Sequence, residues 1–370
     1  MREVSQLEFL SKKGALTIAL ISVLTSLVGQ DSTRNQSSLA VFPAISFAPE
    51  TSLQFGAAAV WVLPQKRKPA DDEFLRQSTL APFFLYTLKN QIISAVNFNF
   101  FFENGGVLDG SVRYFDFPDL YFGIGNDTDK NRSESYTNRF FRSNGLLLHS
   151  INKSLFAGIN WDFQYNTVSS IAEGGMLLLD SPVGIDGGLH LGLGPALRFD
   201  TRDNAIYPSK GYFFSASGLL TYLGDFRYTG YFLDLRKYLP LWNDANILAL
   251  QLNGSFTSGG RIPFYKLPQL GGDSRLRGIA NASLYRARQM VYAQAEYRRP
   301  LFWRLGMTIF AGIGEVAQSF SEFQATEFKY VAGVGGRFAA IPKDKLNLRV
   351  DLGVARGGQF AIYASISEAF

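Results

Sequence analysis

The sequence predicts an all-β chain: a transmembrane antiparallel β-barrel of sixteen strands. Three observations point there. Period-two alternation of apolar and polar residues recurs along the chain in stretches of up to ten to thirteen residues or more, and those stretches number sixteen. That length exceeds the ~5–6 residues usual in soluble sheets and suits a tilted crossing of a bilayer, which takes ~9–11. Composition agrees, with 33 Phe, 17 Tyr and 36 Gly, a mix suited to strands and tight turns. Beyond the first 30 residues no apolar run approaches the ~18–20 residues of a membrane helix, so a closed barrel is the remaining way across.

In chain order, residues 1–29 have the pattern of an export signal. Arg2, Lys12 and Lys13 precede an apolar stretch from Ala15 to Val28, and Gly29 to Ser32 are small or polar. Residues 30–39 form a short N-terminal segment, and 40–370 form the barrel. The strands are expected at about 40–48, 51–62, 77–88, 91–102, 107–116, 137–149, 154–167 and 186–200 in the first half. In the second half they are expected at 212–223, 226–238, 246–257, 290–300, 305–315, 327–339, 345–355 and 359–369. In 91–102, Val96, Phe98 and Phe100 share one face, and Ala95, Asn97 and Asn99 share the other. In 291–298, Val291, Ala293, Ala295 and Tyr297 alternate with Tyr292, Gln294, Glu296 and Arg298. The polar face carries both signs of charge, which suits a wet lumen better than a dry core.

An even count with alternating short and long connections is the outer-membrane pattern. With both ends periplasmic, 117–136, 168–185 and 258–289 face outward, and 103–106 and 150–153 are tight periplasmic turns. The exception is 63–76, a long charged periplasmic turn with Lys66, Arg67, Lys68, Asp71 and Asp72. The chain has no Cys, which excludes disulfides, thiolate metal sites and a lipoprotein anchor. A net charge of +5 from scattered Lys and Arg leaves no nucleic-acid footprint.

Three segments go beyond a generic barrel. The first is Phe199-Asp200-Thr201-Arg202-Asp203-Asn204, followed by Tyr207-Pro208-Ser209-Lys210-Gly211. Strand parity points Arg198 and Asp200 into the lumen, and Pro208 and Gly211 punctuate a turn. The second is the long loop from Ile262-Pro263-Phe264-Tyr265 through Leu270-Gly271-Gly272-Asp273-Ser274-Arg275-Leu276-Arg277-Gly278. A loop of that length without strand signal is usually functional. The third is the ending, with Leu348-Arg349-Val350-Asp351 and an alternating stretch closing on Glu368-Ala369-Phe370.

In this order, over most of residues 40–370, these segments resemble the BamA/TamA superfamily of outer-membrane assembly factors, the bacterial surface antigen barrel. The long loop falls between the eleventh and twelfth expected strands, where that family places its sixth extracellular loop. The resemblance implies that this loop folds into the lumen and that Arg277, followed by Gly278, pairs there with acids on late strands. Independently, an Arg in a partly desolvated lumen needs a carboxylate, which its fork binds bidentately. Asp351 faces inward by parity and is the first candidate. Glu315 is the second, its facing left open by the Gly312/Gly314 stretch; the family often has an Asp where Gly312 aligns. Arg198, Asp200, Glu296 and Arg349 are expected to form a polar network in the lumen.

The resemblance is to the subgroup without the periplasmic POTRA modules that receive clients in most members. It implies a factor that assists insertion or translocation of proteins or lipids at the outer membrane, with outer-membrane lipids around it. A periplasmic or outer-membrane protein would then supply client binding. The alternative is a passive pore or structural barrel. No cofactor and no catalysed covalent chemistry are expected. Pro43, which cannot donate to a ladder, lies on the first strand, so the seam with the last strand and Phe370 is expected to be the weakest pair.

Asp127, Asp129 and Asn131 begin a calcium-loop spacing, but Arg132 stands at the sixth position and Asn138 at the twelfth. His149 beside Ser150, and lumen-facing His190, lack the rest of a hydrolase set. The GxG strings at 192–194 and 334–336 lie inside strand patterns, so they do not signal nucleotide binding.

Overall fold

The computed structural model describes residues 37–48, 52–63, 77–88 and 90–370. The expected export signal and the charged 64–76 run lie outside these residues. One antiparallel sheet of sixteen strands carries the chain, each strand paired with its sequence neighbour. The strands are β1 (Ser38–Ala48), β2 (Ser52–Val62), β3 (Thr79–Thr87), β4 (Ile92–Phe101), β5 (Gly106–Tyr121), β6 (Glu134–Ser150), β7 (Leu155–Ser169) and β8 (Gly188–Asp200). The second half holds β9 (Gly211–Gly224), β10 (Arg227–Leu241), β11 (Asn243–Arg261), β12 (Gln289–Phe302), β13 (Leu305–Ala317), β14 (Lys329–Ile341), β15 (Leu346–Ala355) and β16 (Gln359–Ile366).

The two faces of this sheet are reversed relative to a soluble protein. Leu193, Leu197, Phe199, Leu220, Leu252, Val350, Leu352 and Val354 point outward and are exposed. Their neighbours Asp162, Gln164, Arg198, Asp200, Gln251, Gln294, Glu296, Arg298 and Asp351 are buried. An apolar exterior around a charged interior is stable only where lipid replaces water outside. Trp242 and Trp303 sit at periplasmic turns, 87% and 80% exposed, where amphipathic rings favour the membrane interface.

Several strands outrun the alternation. β5 and β6 stay in register up to Tyr121 and Glu134, through Pro118–Thr137 and Asp119–Tyr136, so eight of the twenty residues of the expected outer loop 117–136 are strand. β11 likewise reaches Arg261. Polar pairs continue a ladder outside the bilayer, where no lipid imposes alternation. The opposite error occurs at the end, where the pattern continues to 369 but β16 stops at Ile366. Ser367 is left-handed (φ 68°), and the following residues leave the wall.

Among the described residues no backbone ladder joins β1 to β16. The sheet ends meet instead at the periplasmic mouth, where Val60 and Val62 of β2 cluster with Leu346, Ile341, Ile366 and Ile206. Pro43 lies in β1 opposite Ala57 of β2. At the outer mouth a short helix, α1 (Met176–Asp180), buries Leu177 against Tyr121, Tyr136 and Phe264.

Candidate functional site

The segment between β11 and β12 runs back into the lumen and is held at several points. Its first limb buries Phe264 between Tyr121 and Tyr136, with ring centroids 5.7 and 5.6 Å away. Lys266 donates to Asp162 of β7 (2.6 Å) and to Gln164 (2.8 Å). A two-rung ladder, Gln269–Arg286 and Leu270–Tyr285, closes the loop on itself. Leu270, Leu276, Ile279, Leu284 and Tyr285 pack with Met290, Tyr292, Val316 and Val331 of the wall. That shared apolar core removes the loop from water, the main stabilising term for such docking.

The tip presents Arg277. Leu276 is left-handed (φ 38°) and Gly278 has φ 144°, a backbone path that projects the intervening side chain. The tip lies flat on β15: a Cβ at Gly278 would stand 2.7 Å from the Val354 carbonyl oxygen, and one at Gly353 would stand 2.1 Å from that of Arg277. Glycine is required on both sides of this contact. Arg277 is fully buried. It donates to Asp351 (2.6 Å) and to Glu296, and its guanidinium lies 3.8 Å from the centroid of Phe310.

These contacts belong to a larger network. Asp351 also accepts from Arg337 (2.6 Å) and Arg349 (2.7 Å). Glu296 accepts from Arg298 (2.7 Å). Glu368 accepts from Arg337 (2.7 Å) and Asn347 (2.9 Å), and Arg349 also reaches Asp273 of the loop (3.2 Å). Four arginines (277, 298, 337, 349) thus face four acids (273, 296, 351, 368). The formal charges cancel. Buried ions are tolerable on that condition, because each desolvated charge otherwise costs several kcal/mol, of order 3–5 when one partner is removed.

Below the network lies the turn after β8. Asp203 accepts from the Ser209 and Lys210 amides, and Asn204 from those of Ile206 and Tyr207, each within 3.2 Å. The turn so fixed places the Tyr207 ring 5.7 Å from the Arg298 guanidinium. Burial, with the Glu368 charge next, pushes the Tyr207 phenol up to about 12. Phe370 joins from the other side. It packs on Tyr238 and Ala249, and its carbonyl accepts from Arg298 (2.8 Å). The three sequence segments therefore converge on one cluster.

Each expected residue has a definite place. Arg277, Gly278, Asp351, Glu296 and Arg349 come together as described. Arg198 instead binds Asp109 (2.5 Å), and Asp200 binds Arg202 (2.8 Å), in separate lumenal pairs. Glu315 is not brought to Arg277. Alternation runs through Gly312 and Gly314 without a bulge, so Glu315 pairs with outward Val291 and lies under the 318–328 loop, where it accepts from the Gln324 amide (3.3 Å). Phe370 does not extend the strand facing Pro43; it turns into the lumen. Asn138 faces the lumen and bonds Asn166 (2.9 Å), away from the turn at Asp129 and Asn131. His190 is enclosed by Asp162 (3.4 Å) and Tyr228 (3.2 Å), while His149 is exposed at the periplasmic end of β6.

Arg337, Glu368 and Lys266 escaped the sequence reading. Arg337 is inward by the alternation of β14, a signal that was available. Glu368 lies past the end of β16 and Lys266 lies in a loop, where parity says nothing.

Comparison with known proteins places this geometry. The Omp85 superfamily domain matches residues 86–351. No curated protein sequence matches. Among solved structures, BamA from Haemophilus ducreyi lacking POTRA domains 1–3 superimposes with a TM-score of 0.58 at 14% identity, over 98% of this chain and 78% of that one. CdiB from Acinetobacter baumannii gives 0.57 at 12% identity, over 91% of this chain and 60% of that one. At such identity these likenesses speak for the fold. The family match covers most of the barrel, and this chain belongs to the Omp85 superfamily as an outer-membrane β-barrel.

Proposed function

We propose that this barrel assists the insertion or translocation of proteins, or of lipids, at the outer membrane. In this reading a separate periplasmic or outer-membrane protein supplies client binding, and the barrel catalyses no covalent chemistry. The observation that carries the proposal is a pair of features. The lumen is occupied by a loop tied to the wall through one ion network, while β1 and β16 share no ladder among the described residues. A passive pore needs neither feature.

The test is a set of cysteine pairs joining residues 40–47 to 362–366, introduced into the full chain in cells. Oxidation should abolish assembly of outer-membrane clients, and reductant should restore it. Full activity in the cross-linked form overturns the proposal. Affinity purification from membranes should bring down the client-binding partner.

A further inference from the structure

The lumen has two unlike halves. Along β7 and β10–β15 it is charged and filled by the loop. Along β1–β5 its inner face mixes polar residues, among them Asn97, Asn99, Asp109 and Ser111, with apolar rows. One row of register partners crosses that half: Phe42, Ala58, Phe83, Ala95, Arg113 and then Arg142. Directly opposed residues share a face. Arg142 faces the lumen, since it grips Asp162 bidentately (2.9 and 3.0 Å), and Asp162 also holds Lys266 of the inserted loop. The whole row therefore faces inward. The next row toward the outer mouth, Leu85, Ile93 and Phe115, is apolar too.

Phe83, Leu85 and Ile93 are only partly buried and belong to no packed cluster among the described residues, whereas Phe42 and Ala95 are buried and Phe115 packs on Phe117 and Phe140. Asn97, in the same sector, is exposed. Apolar surface left partly exposed favours an apolar occupant.

The row ends on a cation that lacks a counter-ion of its own. Arg113 and Arg142 are directly opposite, a destabilising arrangement of like charges. Among the described residues Arg113 makes no ion pair, and its Nε is buried without a hydrogen-bond partner. The acids Asp162 and Asp273 are committed elsewhere, Asp273 to Arg349 and Asp162 to Arg142 and Lys266.

We infer that the inner face of β1–β5 binds an anionic membrane phospholipid, with its phosphate at Arg113 and an acyl chain along the row to Phe42. From β5 to β1 the row crosses four strand spacings, roughly 19 Å, the reach of one extended chain. It ends at β1, the edge strand without a ladder to β16 among the described residues. Binding here is independent of whether the barrel inserts clients.

The experiment titrates dioleoyl phosphatidic acid into the purified full chain in detergent micelles and counts bound lipid by native mass spectrometry. Dioleoyl phosphatidylcholine, oleate and inorganic phosphate are parallel probes. The wild type should retain phosphatidic acid. Arg113→Ala, which relieves a like-charge contact and should fold, is expected to bind at least about tenfold more weakly, given the strength of charge-assisted hydrogen bonds. Ala58→Phe, which fills the row, should lose binding while keeping the heat-dependent gel shift of a folded barrel. Absence of any adduct, or unchanged affinity in folded Arg113→Ala, overturns the inference. Equal binding of phosphatidylcholine overturns the headgroup assignment. Equal binding of oleate or of inorganic phosphate overturns the phospholipid as the ligand.

Discussion

Replacing Arg277 with alanine removes a side chain that ties the loop tip to two wall strands at once. The loss is two charge-assisted hydrogen bonds, each worth about 1.5–3 kcal/mol. Neither acid is orphaned by the change. Asp351 keeps Arg337 and Arg349, and Glu296 keeps Arg298. The lower end of the range therefore applies, about 3 kcal/mol in total, or roughly a hundredfold in the ratio of docked to released tip. Release is confined to the tip, because Lys266 and the apolar cluster still hold both limbs. Single-channel recording in planar bilayers reads this directly. The wild type should give small, flickering currents, and Arg277→Ala should give larger and longer openings. Arg277→Lys should fall between, since an ammonium cannot span two acids as a guanidinium fork does. Currents identical to wild type from a variant shown to be folded would refute the lock, and a large steady wild-type pore would favour the passive-pore alternative.

Three further outcomes follow from the same geometry. Gly353→Ala should raise conductance in the same direction, because its Cβ would meet the Arg277 carbonyl oxygen at 2.1 Å and lift the tip off β15; unchanged currents would show that the tip has room to shift. Glu315→Gln should leave conductance unchanged, since Glu315 serves the outer loop at Gln324, and an effect as large as that of Arg277→Ala would restore it as a partner. Lys266→Met should speed proteolysis of 262–288 from the outer side, and a double-mutant cycle with Asp162→Asn should show coupling of about 1–3 kcal/mol; additive effects would mean the pair contributes no anchorage.

How far the sequence could be read varied with position. All sixteen wall strands were legible because lipid outside and polar side chains inside enforce period two residue by residue. Where the wall rises above the bilayer that constraint ends, and the top of the β5–β6 hairpin passed for loop. Parity placed Glu296, Arg349 and Asp351 on the lumen face. It could not say that Glu296 rather than Glu315 receives Arg277, because that depends on whether Gly312 and Gly314 bulge. In the structure they do not.

The sequence by itself determined the barrel, the face most strands turn to the lumen and the place of the long loop along the chain, since alternation and punctuation are local properties of the chain. Only the tertiary structure decided who meets whom. Arg277 and Asp351 stand 74 positions apart. Their contact is set by the register across β12–β15 and by the glycine-to-backbone contact at Gly278 and Gly353, which no local pattern encodes. The same holds for Phe370, whose alternation reads as wall. A left-handed Ser367 turns it instead onto Tyr238, beneath the Arg298 guanidinium.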